Sequence, residues 1–234
     1  MGLDNDGIDH FRAHHLPYLR ALGIPVIANI AGEDEDQFVA MTEMLADEPG
    51  LAAIELNLSC PNVSHGLDLG VDPAAVGRVV GRCRAACPQA ILAKLTPNVT
   101  DIVPIAREAA EAGADAVTLI NTIRGLVVDW RRRRPVLAND LGGLSGPAIK
   151  PVALAMVWNV HRALPDLPII GVGGIMCLDD VLEFLVAGAS AVQVGTATFA
   201  DPGVSGRLVQ GLGTAIGAGS VRSWIGSLKS NRAT

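Results

Sequence analysis

Short apolar runs alternate with longer amphipathic stretches along this chain, and this alternation restricts the fold more than any other feature. Six runs rich in Val, Ile and Leu occupy residues 25–30, 52–58, 90–95, 116–121, 168–172 and 191–194. The stretches typical of helices cover residues 35–47, 73–86, 99–112, 147–163, 178–187 and 203–216. Near-continuous apolar strands separated by helices are typical of parallel sheets that are covered on both faces. The sequence therefore predicts an α/β fold with six β/α units.

Residues at the ends of the predicted helices support this division of the chain. Thr100-Asp101 and Asp72-Pro73 stand where helices would begin, and Gly113 and Gly188 stand where helices would end. No linker interrupts the 234 residues, and half of them are hydrophobic, which is enough for a large core. We therefore expect residues 1–234 to form a single domain, either a β/α barrel or a doubly wound sheet.

Polar residues and glycines cluster directly after the predicted strands. These clusters are residues 57–62, 94–98, 121–122, 173–174 and 195–196. In a β/α barrel the carboxyl ends of the strands build the active site. Five strands that end in such residues favour the barrel over the doubly wound sheet.

Composition excludes several classes of function. A net charge of −6 and an aromatic content of 3% argue against binding of nucleic acid, either along its phosphates or by base stacking. No apolar run is long enough to span a membrane, and the first residues do not resemble a signal peptide. The four cysteines form no CxxC pair. We therefore expect a cytoplasmic protein with reduced thiols and neither a membrane nor a nucleic acid as partner.

Two glycine turns follow neighbouring strands and point to a phosphate. Gly173-Gly174 lies within the segment GVGGI, and Gly195-Thr196 follows the next strand. Consecutive glycines leave backbone N–H groups bare, and barrels often hold a phosphate after their last two strands. Tight turns without a ligand are the alternative. The GxGxxG dinucleotide pattern is absent, so the turns favour a mononucleotide.

The segment NLSCPN at residues 57–62 contains the strongest candidate for catalysis. Its amides can bind a planar ring that carries carbonyl and N–H groups, and an accessible Cys60 can act as a nucleophile or a base. A buried structural thiol is the alternative. We expect that structural role for the remaining cysteines, Cys83, Cys87 and Cys177.

Lys94 stands inside an apolar strand run, where an ammonium group is costly unless it meets an anion or another acceptor. A flavin whose reduced ring is anionic would be one such partner. The alternative is a lysine whose stem packs at a strand end while its ammonium group reaches water.

Two further groups of polar residues carry weaker signals. His10, His14 and His15 have spacings typical of metal ligands, but no carboxylate or cysteine of the sequence completes a set, so we predict no metal site. The arginines at residues 131–134 are expected in a solvated loop, with docking of a partner as the alternative.

Six segments together resemble the catalytic subunit of the class 1B dihydroorotate dehydrogenases, flavoproteins of pyrimidine biosynthesis. They are IELNLSCPNVSHG (54–66), AKLTPNVTDI (93–102), LINT (119–122), RRPVLANDLGGLSGPAIKPVAL (133–154), PIIGVGGI (168–175) and AVQVGTATF (191–199). AKLTPNVTDI is also similar to the pyrimidine-reducing domain of dihydropyrimidine dehydrogenase, whereas Asn62-Val63 and residues 133–151 resemble the dihydroorotate enzymes. The resemblance implies a (β/α)8 TIM barrel that holds FMN.

The resemblance also implies a reaction and a set of site residues. In the oxidation of (S)-dihydroorotate to orotate, Cys60 would take the C5 proton and FMN would take the C6 hydride. The implied substrate-binding residues are Gly2, Leu3, Asn57, Asn121 and Thr122. The implied FMN-binding residues are Asn29, Asn57, Lys94, Ile120, Gly146, Gly173, Gly174, Gly195 and Thr196. Lys94 would stabilise the reduced ring, and the residues of the two glycine turns would hold the phosphate.

The resemblance to class 1B enzymes implies partners as well. A second subunit with FAD and a 2Fe–2S cluster would pass electrons to NAD, and a homodimer would form the core of a heterotetramer. The cysteines of this chain have the wrong spacing for such a cluster. Compared with the family, the chain begins inside the substrate segment Asn-x-x-Gly-Leu-x-Asn, at Gly2-Leu3. We therefore expect about six of the eight β/α units, without the first strands of the barrel.

Two alternatives to dihydroorotate oxidation remain open at this point. In the first alternative, the chain is an inactive truncated remnant that binds a nucleotide phosphate or a partner. In the second alternative, the chain is a related FMN-dependent pyrimidine reductase that acts on uracil or thymine.

Overall fold

The computed structural model of the chain describes residues 5–59 and 69–231, and within them it contains ten strands and nine α-helices. The strands are β1 (Val26–Ile30), β2 (Leu51–Asn57), β3 (Ala90–Lys94), β4 (Ala116–Leu119), β5 (Ile123–Leu126), β6 (Val128–Asp129), β7 (Arg134–Pro135), β8 (Leu141–Leu144), β9 (Ile169–Val172) and β10 (Ala191–Gln193). The helices are α1 (Gly7–His10), α2 (Leu16–Ala21), α3 (Glu35–Leu45), α4 (Pro73–Ala86), α5 (Val103–Glu111), α6 (Lys150–Ala163), α7 (Leu178–Ala187), α8 (Ala197–Ala200) and α9 (Val204–Ile216).

Six strands form one parallel sheet in the order β1-β2-β3-β4-β9-β10. Each strand therefore lies beside the previous core strand of the chain, and a helix connects most neighbours, as in a β/α barrel. This arrangement confirms the predicted α/β class, and it corresponds to six consecutive strands of a (β/α)8 barrel.

The two faces of the sheet differ in chemistry because successive side chains of a strand point in opposite directions. On the outer face, Ile54, Leu56 and Val117 belong to the large apolar core, which includes residues of the helices. On the inner face, a smaller apolar cluster is followed by polar residues nearer the carboxyl ends. The buried members of that cluster are Ala53, Leu92 and Ala116.

The bounds of α4 and α7 match the sequence prediction, whereas the start of α5 does not. Asp72 accepts a hydrogen bond from the backbone N–H of Ala74, at 3.1 Å, and α4 has the predicted bounds. The prediction placed the start of α5 at residue 99, but the helix begins at Val103. The carboxylate of Asp101 accepts from the Val103 N–H at 3.0 Å, and Pro104 fits only the first turn. Gly188 ends α7 with a φ of +126°.

The sequence prediction missed two regions. The first is the helical segment of α1 and α2, which a π-helical turn at Phe11–His15 connects. The second is an excursion between β4 and α6, where β5 pairs with β8 and β6 pairs with β7, both antiparallel. These short strands leave most of their apolar side chains exposed, so their sequence lacks the pattern of a buried strand. The arginines at 131–134 are exposed, as expected.

Within the part of the chain that the structure describes, no helix combines the length and the apolar character needed to cross a membrane.

Candidate functional site

A cleft lies where the loops after β4, β9 and β10 meet the start of α6. Nine of the residues predicted for the site line it. They are Lys94, Ile120, Asn121, Thr122, Gly146, Gly173, Gly174, Gly195 and Thr196. Asn29 and Asn57 lie on β1 and β2 and reach the same region through hydrogen bonds. Gly2, Leu3 and Cys60 lie outside the described residues.

Glycines form one side of the cleft, and at Gly173 and Gly174 the neighbouring segments approach too closely for a side chain. A Cβ on Gly174 would lie 2.8 Å from the carbonyl oxygen of Gly146 and 2.9 Å from the Cβ of Lys150. The φ of Gly174 is +76°, in the region that favours glycine. A Cβ on Gly195 would meet nothing within 4 Å. This side therefore presents bare backbone, the surface that an anion such as a phosphate prefers.

A carboxylate holds the glycine turn from behind. Asp180, at the start of α7, accepts hydrogen bonds from the backbone N–H groups of Met176 and Cys177 at 2.8 and 3.0 Å. The ammonium group of Lys150 lies 2.5 Å from Asp180 and 2.7 Å from Glu183. The turn after β9 is thereby tied to both α6 and α7.

The contacts within this network shift the pKa values of Asp180 and Lys150. Burial alone would raise the pKa of Asp180, but the hydrogen bonds from Lys150 and from the two backbone N–H groups lower that pKa to about 2. The hydrogen bonds to Asp180 and Glu183 raise the pKa of Lys150. Both groups are therefore charged over the physiological range, and the network remains intact there.

Side chains rather than backbone form the floor on the other side, around Glu55. This residue is only 2% exposed. Its Oε1 accepts from the side-chain amide of Asn29 at 2.6 Å and lies 3.6 Å from the Lys94 ammonium group. Its Oε2 accepts from the Thr118 hydroxyl at 2.7 Å and from the Gln193 amide at 2.8 Å. The anion that the sequence required beside Lys94 is thus present within the chain itself.

Amides form the rim at the carboxyl end of β2. The Asn57 Oδ1 accepts from the Ser59 hydroxyl at 3.0 Å and from the Asn121 amide at 2.9 Å. The Asn121 amide also contacts the Ser59 hydroxyl, and the Thr122 N–H donates to Asn121 at 2.8 Å. Oriented amides of this kind can bind a planar ring with carbonyl and N–H groups.

The sequence prediction missed Glu55, Thr118, Gln193 and Asp180. A signal existed for Glu55, because it stands in an apolar strand run just as Lys94 does, and a buried carboxylate needs partners. No comparable signal existed for Gln193, which lies 138 positions from its partner Glu55.

The cysteines within the described residues differ in exposure. Cys83 and Cys87 are buried, and burial raises the pKa of both thiols, which is the environment of inert structural cysteines. Cys177 is exposed at the start of α7, so the expectation of a buried thiol is wrong for this residue. A turn followed by a helix start leaves that position open to solvent.

The histidines near the first helices do have a carboxylate beside them, contrary to expectation. Asp6 lies 3.6 Å from the Nδ1 of His10, and the ligand atoms of Asp6, His10 and His15 lie within 4.8 Å of one another. One helical turn separates Asp6 from His10, which explains the proximity. The absence of a bound metal stays a prediction.

Comparisons with known proteins agree with this geometry. The family model of dihydroorotate dehydrogenase matches residues 1–216. The chain is 48% identical over 233 residues to the dihydroorotate dehydrogenase B (NAD(+)) catalytic subunit of Trichlorobacter lovleyi, covering 98% of this chain and 76% of the relative. The same coverage and identity hold for the subunit of that name from Geobacter sulfurreducens. The Pelobacter propionicus subunit is 50% identical over 213 residues, or 91% of this chain and 70% of the relative.

The match extends over almost the whole chain and includes every residue of the cleft. The resemblance seen in six sequence segments is therefore confirmed. This chain belongs to the dihydroorotate dehydrogenase family.

Proposed function

We propose that this chain oxidises (S)-dihydroorotate to orotate in pyrimidine biosynthesis, with FMN bound in the cleft. The observation that carries the proposal is the convergence of nine predicted site residues, from segments scattered between Lys94 and Thr196, on one cleft. The names of the most similar relatives give the same activity.

The residues of the cleft fit a flavin mononucleotide. The bare backbone of Gly173, Gly174, Gly195 and Thr196 suits the phosphate, and the close approach at Gly174 leaves no room for a side chain there. Lys94 would lie beside the ring and stabilise negative charge on it. A bound flavin supplies the hydride acceptor of the reaction.

The rim suits the substrate. Asn57 and Asn121 are fixed by mutual hydrogen bonds, and with Thr122 they would orient a pyrimidine ring. Cys60, the base that we propose for the C5 proton, follows Ser59 in the sequence. Gly2 and Leu3 would add further substrate contacts.

Partners form part of the proposal. The relatives are named catalytic subunits, and their names include NAD(+). We propose that a separate subunit with FAD and a 2Fe–2S cluster accepts the electrons and passes them to NAD. We also propose that residues 1–234 act as a single domain in the cytoplasm.

The excursion between β4 and α6 is the surface that we propose for a homodimer. Leu126, Val128 and Trp130 are 53%, 55% and 70% exposed, and large exposed apolar side chains on one short excursion favour association. Sedimentation of the double variant Val128→Asp, Trp130→Gln is expected to show a monomer. The control Val209→Asp, at a position 71% exposed on α9, should sediment like the wild type.

Anaerobic reduction of the FMN-loaded chain tests the proposed reaction. Dihydroorotate should bleach the visible flavin absorption of the wild type. The variant Cys60→Ala should react at least about 100-fold more slowly because the base is missing. The control Cys87→Ser, at the end of α4, keeps a hydroxyl in place of the thiol that contacts Gln89, and it should react like the wild type.

Three other results would contradict the proposal in different ways. Reaction with dihydrouracil but not with dihydroorotate would identify a pyrimidine reductase. Failure of the wild type to bind FMN would identify a remnant without the activity. An unchanged rate in Cys60→Ala would remove the assigned base.

A further inference from the structure

We propose that Glu55 is the positioning residue of the cofactor cleft, and that Gln193, which Glu55 orients, contributes a carbonyl acceptor to the flavin ring. The inference rests on the proposed function. It adds two residues that neither the sequence resemblance nor the names of the relatives assign to the site.

The hydrogen-bonding capacity of a carboxylate determines how its partners are oriented. An ionised carboxylate can only accept, so an amide that bonds to it must present its nitrogen. Glu55 therefore determines the orientation of two amides, those of Asn29 and Gln193, whose oxygen and nitrogen would otherwise be interchangeable. Because the nitrogen of Gln193 faces Glu55, the carbonyl oxygen is the atom that Gln193 can offer to a ligand in the cleft it lines.

Lys94 depends on the same carboxylate. Its ammonium group has three donors and lies 3.6 Å from Glu55, so donors remain for the cleft that Lys94 also lines. Its four-carbon stem is flexible, and ordering such a side chain costs rotamer entropy. The ion pair with a carboxylate that is itself fixed by three hydrogen bonds offsets that cost and holds the ammonium group at the floor.

The topology shows why this position is special. Asn29 lies on β1 and Gln193 on β10, the two ends of the six-stranded order, and yet both donate to the same side chain on β2. The sheet therefore curls until its ends face each other across Glu55. Thr118 on β4 and Lys94 on β3 complete the set, so that side chains from four strands contact one carboxylate on β2. All of these polar groups therefore lie within reach of one buried carboxylate.

A carboxylate that only stabilises the fold would behave differently from one that positions the ring-binding groups. Both roles predict a less stable protein when Glu55 changes. Only the positioning role predicts a changed environment of the bound flavin ring and a changed orientation of the Asn29 and Gln193 amides.

The experiment compares the full chain with Glu55→Gln in three measurements. They are the dissociation constant of FMN from fluorescence titration, the visible absorption spectrum of bound FMN, and the NMR signals of the Asn29 and Gln193 side-chain amides without FMN. A glutamine offers one accepting oxygen and an NH₂ group that faces other donors, so several partners lose their acceptor. We expect at least a tenfold higher dissociation constant, a shifted flavin spectrum and displaced amide signals.

Two further variants separate the roles of the individual groups. Gln193→Leu removes the acceptor from the cleft but leaves Glu55 with its other partners, so FMN should bind less tightly and the spectrum should shift. Thr118→Val has a similar shape and removes one donor to Glu55. This variant should weaken FMN binding by a factor of about two to ten. It also tests the role of Glu55 if Glu55→Gln does not fold.

Glu48→Gln is the matched control. Glu48 also bonds to cations, Arg12 at 2.7 Å and Arg20 at 3.4 Å, but it lies outside the cleft. It should leave FMN binding, the flavin spectrum and both amide signals unchanged.

The outcomes distinguish this inference from the proposed function. If the wild type binds FMN and neither Glu55→Gln nor Thr118→Val alters its affinity or spectrum, the positioning role of Glu55 is overturned. If Gln193→Leu binds FMN as tightly as the wild type with an unchanged spectrum, the role of Gln193 is overturned. If the wild type does not bind FMN, the proposed function fails, and the amide signals then decide: displacement in Glu55→Gln supports the positioning role, and unchanged signals overturn it.

Discussion

Backbone groups form one side of the cleft, and polar side chains form the other. On the side of β9 and β10, glycines expose the backbone, and its N–H groups are the binding groups. On the opposite side, polar side chains from β1, β3, β4 and β10 converge on Glu55. The glycine turn after β9 has no room for an added side chain, whereas a side-chain floor depends on charge balance and hydrogen bonding. Variants on the two sides should therefore fail for different physical reasons.

The supports of the two sides differ as well. The glycine turn is held from outside by Asp180, whose partner Lys150 is partly exposed. The floor is held from inside by Glu55, which is almost wholly buried. Solvent therefore reaches the Lys150 ammonium group of the first support more easily than it reaches Glu55.

The largest effect is expected from Gly174→Ala. The new Cβ would lie 2.8 Å from the Gly146 carbonyl oxygen, and the φ of +76° disfavours alanine. We expect the free energy of unfolding to fall by about 2 kcal/mol or more, and FMN binding to weaken at least tenfold. Urea unfolding and fluorescence titration measure the two quantities.

Gly206→Ala is the control for that variant. Gly206 is exposed on α9, and a Cβ there would meet nothing within 4 Å. Alanine is the better helix former, so this variant should gain roughly 0.5–1 kcal/mol. Wild-type FMN affinity in Gly174→Ala would show that the glycine side is not a binding surface.

A smaller effect, which depends on pH, is expected from Asp180→Asn. The pKa of Asp180 is lowered from 3.8 to about 2 in the folded state, so its contribution to stability is complete above about pH 4 and is lost as the pH falls through about 2. At neutral pH the variant should be less stable by on the order of 1–2 kcal/mol after solvent screening. The difference from the wild type should shrink as the pH falls from about 4 to about 2.

Asp36→Asn provides the comparison with an exposed ion pair. Asp36 lies 2.7 Å from Arg82, but its side chain is 86% exposed. This variant should change the unfolding free energy by less than about 0.5 kcal/mol. A pH-independent difference between the wild type and Asp180→Asn would show that the network does not act through the charge of Asp180.

The effect expected from Asn121→Ala is confined to one kinetic quantity. Asn121 belongs to the rim, where it bonds to Asn57, so its loss should raise the KM for dihydroorotate by roughly tenfold and leave the affinity for FMN unchanged. Steady-state kinetics and FMN titration separate the two. Asn159→Ala, exposed on α6, should match the wild type in both. A parallel loss of FMN affinity in Asn121→Ala would place this residue on the floor instead of the rim.

The core of the fold was accessible from the sequence because its central strands are buried on both faces. Such strands are near-continuous apolar runs, and β3, for example, differs from the prediction by a single residue. The antiparallel strands of the excursion were missed because segments such as β5, with the sequence IRGL, are short and half exposed. Local pattern gives little information about segments that bury little surface.

Some residues of the site could be recognised from the sequence, and others could not. The glycine turns and Lys94 were recognisable because each departs from what its local sequence would otherwise favour. Glu55 and Gln193 were not recognised together, because nothing in the local sequence relates two residues that lie 138 positions apart.

The sequence by itself determined the parallel α/β architecture, the family and most of the residues that line the cleft, because these follow from local pattern and from contiguous motifs. Only the tertiary structure decided which polar side chains meet. The curling of the sheet brings Asn29 and Gln193 from its two ends to one carboxylate on β2. The physical reason is that a buried charge selects its partners by distance in space, and that distance is a property of the curled sheet as a whole and not of any segment of the chain.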